Sequence, residues 1–182
     1  MRWGLRGVGR HPAGWVLLLL ALASCGLDEV EVVLDDQVSI PATLLGTPFQ
    51  ASYPQLQGLA FASSQELQNN DVQPENIDAI FLLSARLEGT EPQKDNLGAI
   101  LSHVNFDIES PGLERRRLAS KSPIPEGPST ELDFDPMFDL KPYGTAPSMS
   151  IHTELGLLEP RAFPTTVKVT FTLLVDVNLG GI

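Results

Sequence analysis

The chain has 182 residues, 23 of them acidic and 12 basic, for a net charge of −11. All 23 acidic residues follow Cys25 whereas Arg2, Arg6 and Arg10 precede it, so nine basic residues face 23 acidic ones beyond the cysteine. A surface at −14 repels phosphate backbones and makes nucleic acid a poor partner, while the single cysteine excludes an internal disulfide.

Taken in chain order, Arg2, Arg6, Arg10 and His11 form a positive stretch ahead of an apolar run, Trp15-Val16-Leu17-Leu18-Leu19-Leu20-Ala21-Leu22-Ala23. That run is too short to cross a hydrocarbon core, which takes about 20 residues, and it has no polar face to turn toward water as a core helix would. It predicts an export signal over residues 1–24. Leu22-Ala23-Ser24-Cys25 resembles the lipobox of bacterial lipoproteins. The resemblance implies cleavage between Ser24 and Cys25 and thioether-linked acyl chains, palmitate among them, on Cys25. Two or more chains hold stably where one binds reversibly. In Gram-negative lipoproteins an aspartate after the cysteine marks retention at the inner membrane. Gly26-Leu27 follow here, so the resemblance points to the outer membrane, with the domain facing the periplasm or the cell surface. Residues 25–28 are then the tether and residues 29–182 a single domain, a length that can bury its own core.

Period-two alternation dominates that domain. Strands are expected at 29–34, 38–41 and 59–62, then a short helix at 63–66, where Ser63 and Glu66 have capping-box spacing. Residues 79–88 form a strand with Phe81, Leu83, Ala85 and Leu87 on one face, although Ile80 and Leu82 make its first half apolar on both. A helical turn or two follows at 95–102. In the strand at 104–108, Val104, Phe106 and Ile108 alternate with Asn105, Asp107 and Glu109. Weaker strands are expected at 115–119, 132–135 and 148–153. The clearest is 166–177, with Val167, Val169, Phe171, Leu173, Val175 and Val177 opposed to Thr166, Lys168, Thr170, Thr172 and Asp176. Ser110-Pro111-Gly112, the proline-rich loop from Ser120 to Thr130, Lys141-Pro142-Tyr143-Gly144 and Glu159-Pro160 supply turns. Short strands with few helices bury their apolar faces only against another sheet. The fold class is therefore all-β, an antiparallel β-sandwich (immunoglobulin-like) with one or two short helices, the alternative being a closed barrel.

Chemistry-bearing patterns are sparse. His103 and His152 are the only histidines past Cys25 and lack ligand spacing, so neither a metal nor a cofactor is expected. Glu131, Asp133 and Asp135, with Asp139 close behind, would share a strand face at about 7 Å intervals, whereas calcium needs a loop curled around it. Ser150 and His152 are a same-face strand pair with no Gly-x-Ser-x-Gly elbow, and no glycine-rich phosphate loop precedes a helix. An enzyme is therefore not expected. Arg115-Arg116-Arg117 is the one basic cluster. In a strand Arg115 and Arg117 point one way and Arg116 the other, either pairing with acids such as Glu109 and Glu114 or contacting headgroups or an acidic envelope protein partner. Ser64-Gln65-Glu66-Leu67, Ile77-Asp78-Ala79-Ile80, Pro111-Gly112-Leu113-Glu114 and Leu140-Lys141-Pro142-Tyr143 resemble segments of uncharacterised Gram-negative lipoproteins with a small β-sandwich domain. That resemblance implies the fold and offers no active site. Together these features predict a membrane-anchored, non-enzymatic envelope module, structural or protein-binding. The alternative is a carrier holding a small apolar ligand or lipid between its sheets.

Overall fold

The computed structural model describes residues 29–42, 49–90, 96–158 and 164–178. Its strands are β1 (Glu29–Ile40), β2 (Phe49–Ala51), β3 (Ile77–Gly89), β4 (Leu101–Glu109), β5 (Arg116–Lys121), β6 (Ser129–Glu131), β7 (Ser150–Leu157) and β8 (Thr165–Val177). Three short helices, α1 (Gln65–Asn69), α2 (Leu97–Ile100) and α3 (Lys141–Gly144), lie in the connections. The strands form two antiparallel four-stranded sheets, β1-β8-β3-β6 and β2-β7-β4-β5, the all-β sandwich that the alternation predicts.

The order within the sheets corrects the immunoglobulin-like expectation. Strand β1 pairs with β8, β2 with β7, β3 with β6 and β4 with β5, as in one long hairpin rolled on itself, the wiring of a jelly roll. An immunoglobulin domain sets its first strand beside its second. Alternation reveals which face of a strand is buried but not which strand lies beside it, because pairing runs through residues far apart in the chain. The centre of the rolled hairpin is the turn at Ser110-Pro111-Gly112, where Leu113 N–H donates to the Ser110 carbonyl at 3.0 Å and Gly112 takes a φ of 80°.

Strand β8 alternates without a break, Val167, Val169, Phe171, Leu173, Val175 and Val177 buried and the residues between them half-buried. Across the core, β4 turns Val104, Phe106 and Ile108 inward. The Phe106 and Phe171 rings meet edge-to-face at 5.2 Å and 85°, and Tyr53 packs on Phe106 at 6.1 Å. Burial, and secondarily the Asp36 carboxylate, raise the Tyr53 phenol well above its ordinary value.

Elsewhere the structure departs from the sequence expectation for identifiable reasons. The strands at 29–34 and 38–41 are one, β1, because Asp36 is carried inside rather than breaking the strand. Its Oδ1 accepts from Gln37 N–H and its Oδ2 from Gln55 N–H, both at 2.7 Å, so the buried charge is satisfied. In β3 a register shift between Leu82 and Ser84 changes the phase. Ile80 and Leu82 face the core before it and Ala85 and Leu87 after it, leaving Phe81 half-buried and Leu83 exposed. The strand at 59–62 reduces to a single bridge, Leu59 to Met149, and then a 3-10 turn, Phe61–Ser63. The capping box is absent: Ser64 precedes α1 without a side-chain cap bond, and Ser63 Oγ donates to the Ala60 carbonyl. Strand β6 ends at Glu131, with only Asp133 bridging in the predicted stretch at 132–135. Strands β5 and β7 are offset from 115–119 and 148–153 by one to four residues at their ends. The sequence pattern did not mark β2 or α3.

Truncating Phe171 should therefore cost about 3–5 kcal/mol, while Thr170→Ala, on the opposite face, should change little; equal denaturant midpoints for the two variants would contradict this packing. A second outcome concerns alkaline pH. The raised phenol of Tyr53 keeps its proton in the folded chain after the unfolded chain has lost it, so its stabilisation is intact below the ordinary value of 10.0 and is lost as pH rises beyond it. Unfolding midpoints should fall from about pH 9 to about pH 11, and fall less in Tyr53→Phe, the remainder arising from Tyr143 and Lys168, whose values are also raised. Identical slopes would remove Tyr53 from the account.

Candidate functional site

The outer face of the β2-β7-β4-β5 sheet carries the arginine cluster. Because Phe106 and Ile108 point inward, Asp107 points outward, directly across from Arg117. Arg117 Nε donates to Asp107 Oδ1 at 2.6 Å and Arg115 Nη2 lies 3.2 Å from Oδ2. Arg117 also donates to Asn105 Oδ1. Asn105 in turn donates to Glu154 Oε1 at 3.4 Å, and Gln50 Nε2 donates to Glu154 Oε2 at 3.3 Å. One polar network thus crosses all four strands. The acid that clamps Arg115 and Arg117 is Asp107 rather than the expected Glu109 and Glu114. Glu109 lies at the end of β4 and pairs with His152 at 2.8 Å, while Glu114 supplies its carbonyl to the Tyr143 hydroxyl at 2.6 Å.

Arg116 leaves from the opposite face, as strand geometry requires. Its guanidinium stands 4.7 Å from the centroid of the Phe138 ring, which meets Tyr143 edge-on at 5.9 Å. Burial raises the Tyr143 phenol despite the opposing charge of Arg116. All three arginines are thus engaged within the chain, though the ion pairs of Arg115 and Arg117 are about half exposed and each contributes at most about 1 kcal/mol.

The histidines are engaged too. The His103 ring lies over Gly156, where any Cβ would run into it and into Ser102 Oγ. Its Nδ1 meets Ser102 Oγ at 3.0 Å and its Nε2 stands 3.6 Å from Glu154. Glu109, Ser110, Pro111, Ser148, Ser150 and His152 line a shallow cleft of about 290 Å³. Within it Ser150 Oγ accepts from Gly58 N–H at 3.0 Å and His152 turns Nε2 to Glu109, so the two are not coupled as nucleophile and base. The acids considered for calcium are dispersed: Glu131 pairs with Arg86, Asp133 with Lys121, Asp135 Oδ1 accepts from Met137 N–H, and Asp139 Oδ1 accepts from Ile80 and Lys141 N–H. Among the described residues no three potential ligands converge. An apolar cavity between the sheets, bounded by Leu34, Phe61, Ile80, Ile108 and Phe171 among others, has a volume of about 10 Å³.

A feature the sequence reading missed is the free side of β1. Gln37 N–H turns to the Asp36 carboxylate. Thr166, opposite Ser39, gives its carbonyl to Thr90 on the β3 side. The odd-numbered residues of β1 therefore direct their backbone groups away from β8. From Glu29 to Asp35 these groups have no backbone partner among the described residues. The same residues form the strand's exposed row, Glu29, Glu31, Val33 and Asp35, with Val33 54 % exposed. Only the pairing register could have revealed this.

Ser24 and Cys25 lie outside the described residues. No protein-family model matches the chain, and no curated protein matches it. If the acids are dispersed as described, the full chain should unfold at the same temperature in EDTA as in millimolar Ca²⁺ or Zn²⁺. A saturable rise with Ca²⁺ that disappears in Asp133→Asn with Asp135→Asn would reverse that conclusion.

Proposed function

We propose that this chain is a lipid-anchored module of the bacterial cell envelope, held at the outer membrane through Cys25, that serves a structural or protein-binding role without catalysis. Its main support is the lipobox-like Leu22-Ala23-Ser24-Cys25 at the end of an apolar run, four residues ahead of Glu29, the first residue of β1. Four residues, 25–28, reach at most about 14 Å. The end of the sandwich that holds Glu29, with Asp176 and Ala79 beside it in register, therefore sits against the bilayer. Asp78 and Asp176 add to the negative charge there, so anionic headgroups repel the domain and the acyl chains alone retain it.

A binding role is favoured over a carrier because, among the described residues, apolar side chains such as Ile80, Ile108 and Phe171 close on the gap between the sheets. A cavity of about 10 Å³ is far below the roughly 300–1,000 Å³ of small-molecule sites. It is favoured over catalysis because the outward histidines, arginines and carboxylates of the β2-β7-β4-β5 sheet bond to one another. Replacing Cys25 by Ser should abolish incorporation of labelled palmitate and release the protein from the membrane fraction. Persistent labelling would overturn the anchor.

A further inference from the structure

We infer that the free edge of β1, from Glu29 to Asp35, receives an extended segment of a partner protein in which basic and apolar residues alternate. This deepens the protein-binding role proposed above and does not depend on the lipid anchor.

An edge strand accepts another strand when three conditions hold: it is already extended, its outward backbone groups are unpaired, and nothing covers them. The 12 residues of β1 are held extended by continuous pairing with β8 from Glu29 to Ile40, with no register shift. The N–H and C=O groups of Glu29, Glu31, Val33 and Asp35 point away from that pairing and find no backbone partner among the described residues. The opening has a definite end, because the Asp36 carboxylate draws in Gln37 N–H and Gln55 N–H and so brings the 3-10 turn Pro54–Leu56 against the strand. What remains accepts about seven residues of a partner.

Side chains decide which strand fits. On the outer face an incoming strand meets Glu29, Glu31 and Asp35, all exposed, around the apolar Val33. Asp35 is partly answered by Lys168 at 2.5 Å, whereas among the described residues Glu29 and Glu31 form no ion pair. Cross-strand neighbours of opposite charge stabilise a sheet and like charges oppose it, so lysine or arginine belongs opposite the acids. On the other face the row Val30, Val32 and Leu34 belongs to the core margin, and apolar residues belong beside it. A second copy of this chain fails the same test. Antiparallel pairing of β1 with itself about Val33 sets Glu31 against Asp35 twice, and pairing about Glu31 sets that residue against itself. The acids therefore discourage self-association while admitting a basic strand.

The test uses the full chain, purified in mild detergent, and a fluorescent synthetic peptide of about nine residues in which lysine and valine alternate. The controls are a peptide of the same composition with the alternation scrambled and one alternating glutamate with valine. The lysine–valine peptide should bind at low salt and protect the Glu31, Val33 and Asp35 amides from hydrogen exchange. Val33→Pro removes one outward N–H at an edge position where proline is tolerated, and should weaken binding at least tenfold with the circular dichroism spectrum unchanged. Glu31→Lys with Asp35→Lys should transfer preference to the glutamate–valine peptide. Equal binding of the scrambled peptide would reduce the effect to bulk charge and overturn the proposal, as would protection elsewhere in the chain. Self-association through β1, seen as protection of the same amides without peptide at rising concentration, would overturn it too. None of these outcomes bears on palmitate labelling of Cys25, so loss of the edge site and loss of the anchor remain distinguishable.

Discussion

The two sheets are locked together where the Phe106 ring of β4 meets that of Phe171 in β8 edge-to-face, with Tyr53 also packed on Phe106. Both strands lie inside their sheets, β8 between β1 and β3 and β4 between β7 and β5. The alternation that sends these rings inward fixes what the neighbours can do. With Phe106 turned in, Asn105 and Asp107 must turn out, and they become the junction of the polar network that joins β2, β7, β4 and β5. With Phe171 turned in, Thr170 and Thr172 turn out beside Asp35 and Val33 of β1. An aromatic contact in the core thus sets the chemistry of both outer surfaces through the period of the strand.

How much of this was legible in the sequence depended on whether one residue type had one role. Strand β8 was legible along nearly its whole length because each of its valines is core while Thr166, Thr170 and Thr172 are not. In β3 the apolar residues run on, Ala79 to Leu83, and only the register shift beside Leu83 decides that Ile80 and Leu82 go in while Phe81 and Leu83 go out. Nothing in the composition of that run marks the shift. Asp36 misled in the opposite direction: a carboxylate inside a strand reads as an interruption until the two N–H groups that satisfy it are known, and one of them, Gln55, is 19 residues away. The arginine cluster was legible as a cluster and in its alternation, but Asp107 became its partner only through the pairing of β4 with β5.

The large excess of acid is distributed among distinct tasks. Asp36 fastens a turn to β1, Asp139, just ahead of α3, accepts from Lys141 N–H, Asp107 holds two arginines, and Glu109 and Glu154 each face a histidine. Burying a carboxylate is tolerated only where donors replace its water, which is why Asp36 is the one acid among the buried polar residues described. The others remain near solvent, where their individual contributions to stability are small but their joint field governs what approaches.

The sides of the sandwich differ in how they are closed. On the β5–β6 side, Ser120 and Asp133 exchange backbone hydrogen bonds at 2.8 and 2.7 Å, tying the margin of one sheet to the segment that follows β6 in the other. On the opposite side the segment after β2 bridges, through Leu59, to Met149 just ahead of β7 and reaches β1 at Asp36 through Gln55. That crossing fastens the middle of β1 and leaves the side of its first seven residues that faces away from β8 without a backbone partner among the described residues. Strands β2 and β6 have three residues each, too short to template another chain, whereas β1 has 12. Edge exposure is a hazard that short strands and charges suppress. Here length is retained and charge of a single sign is added, which suppresses self-pairing while leaving the edge selective for strands of opposite charge.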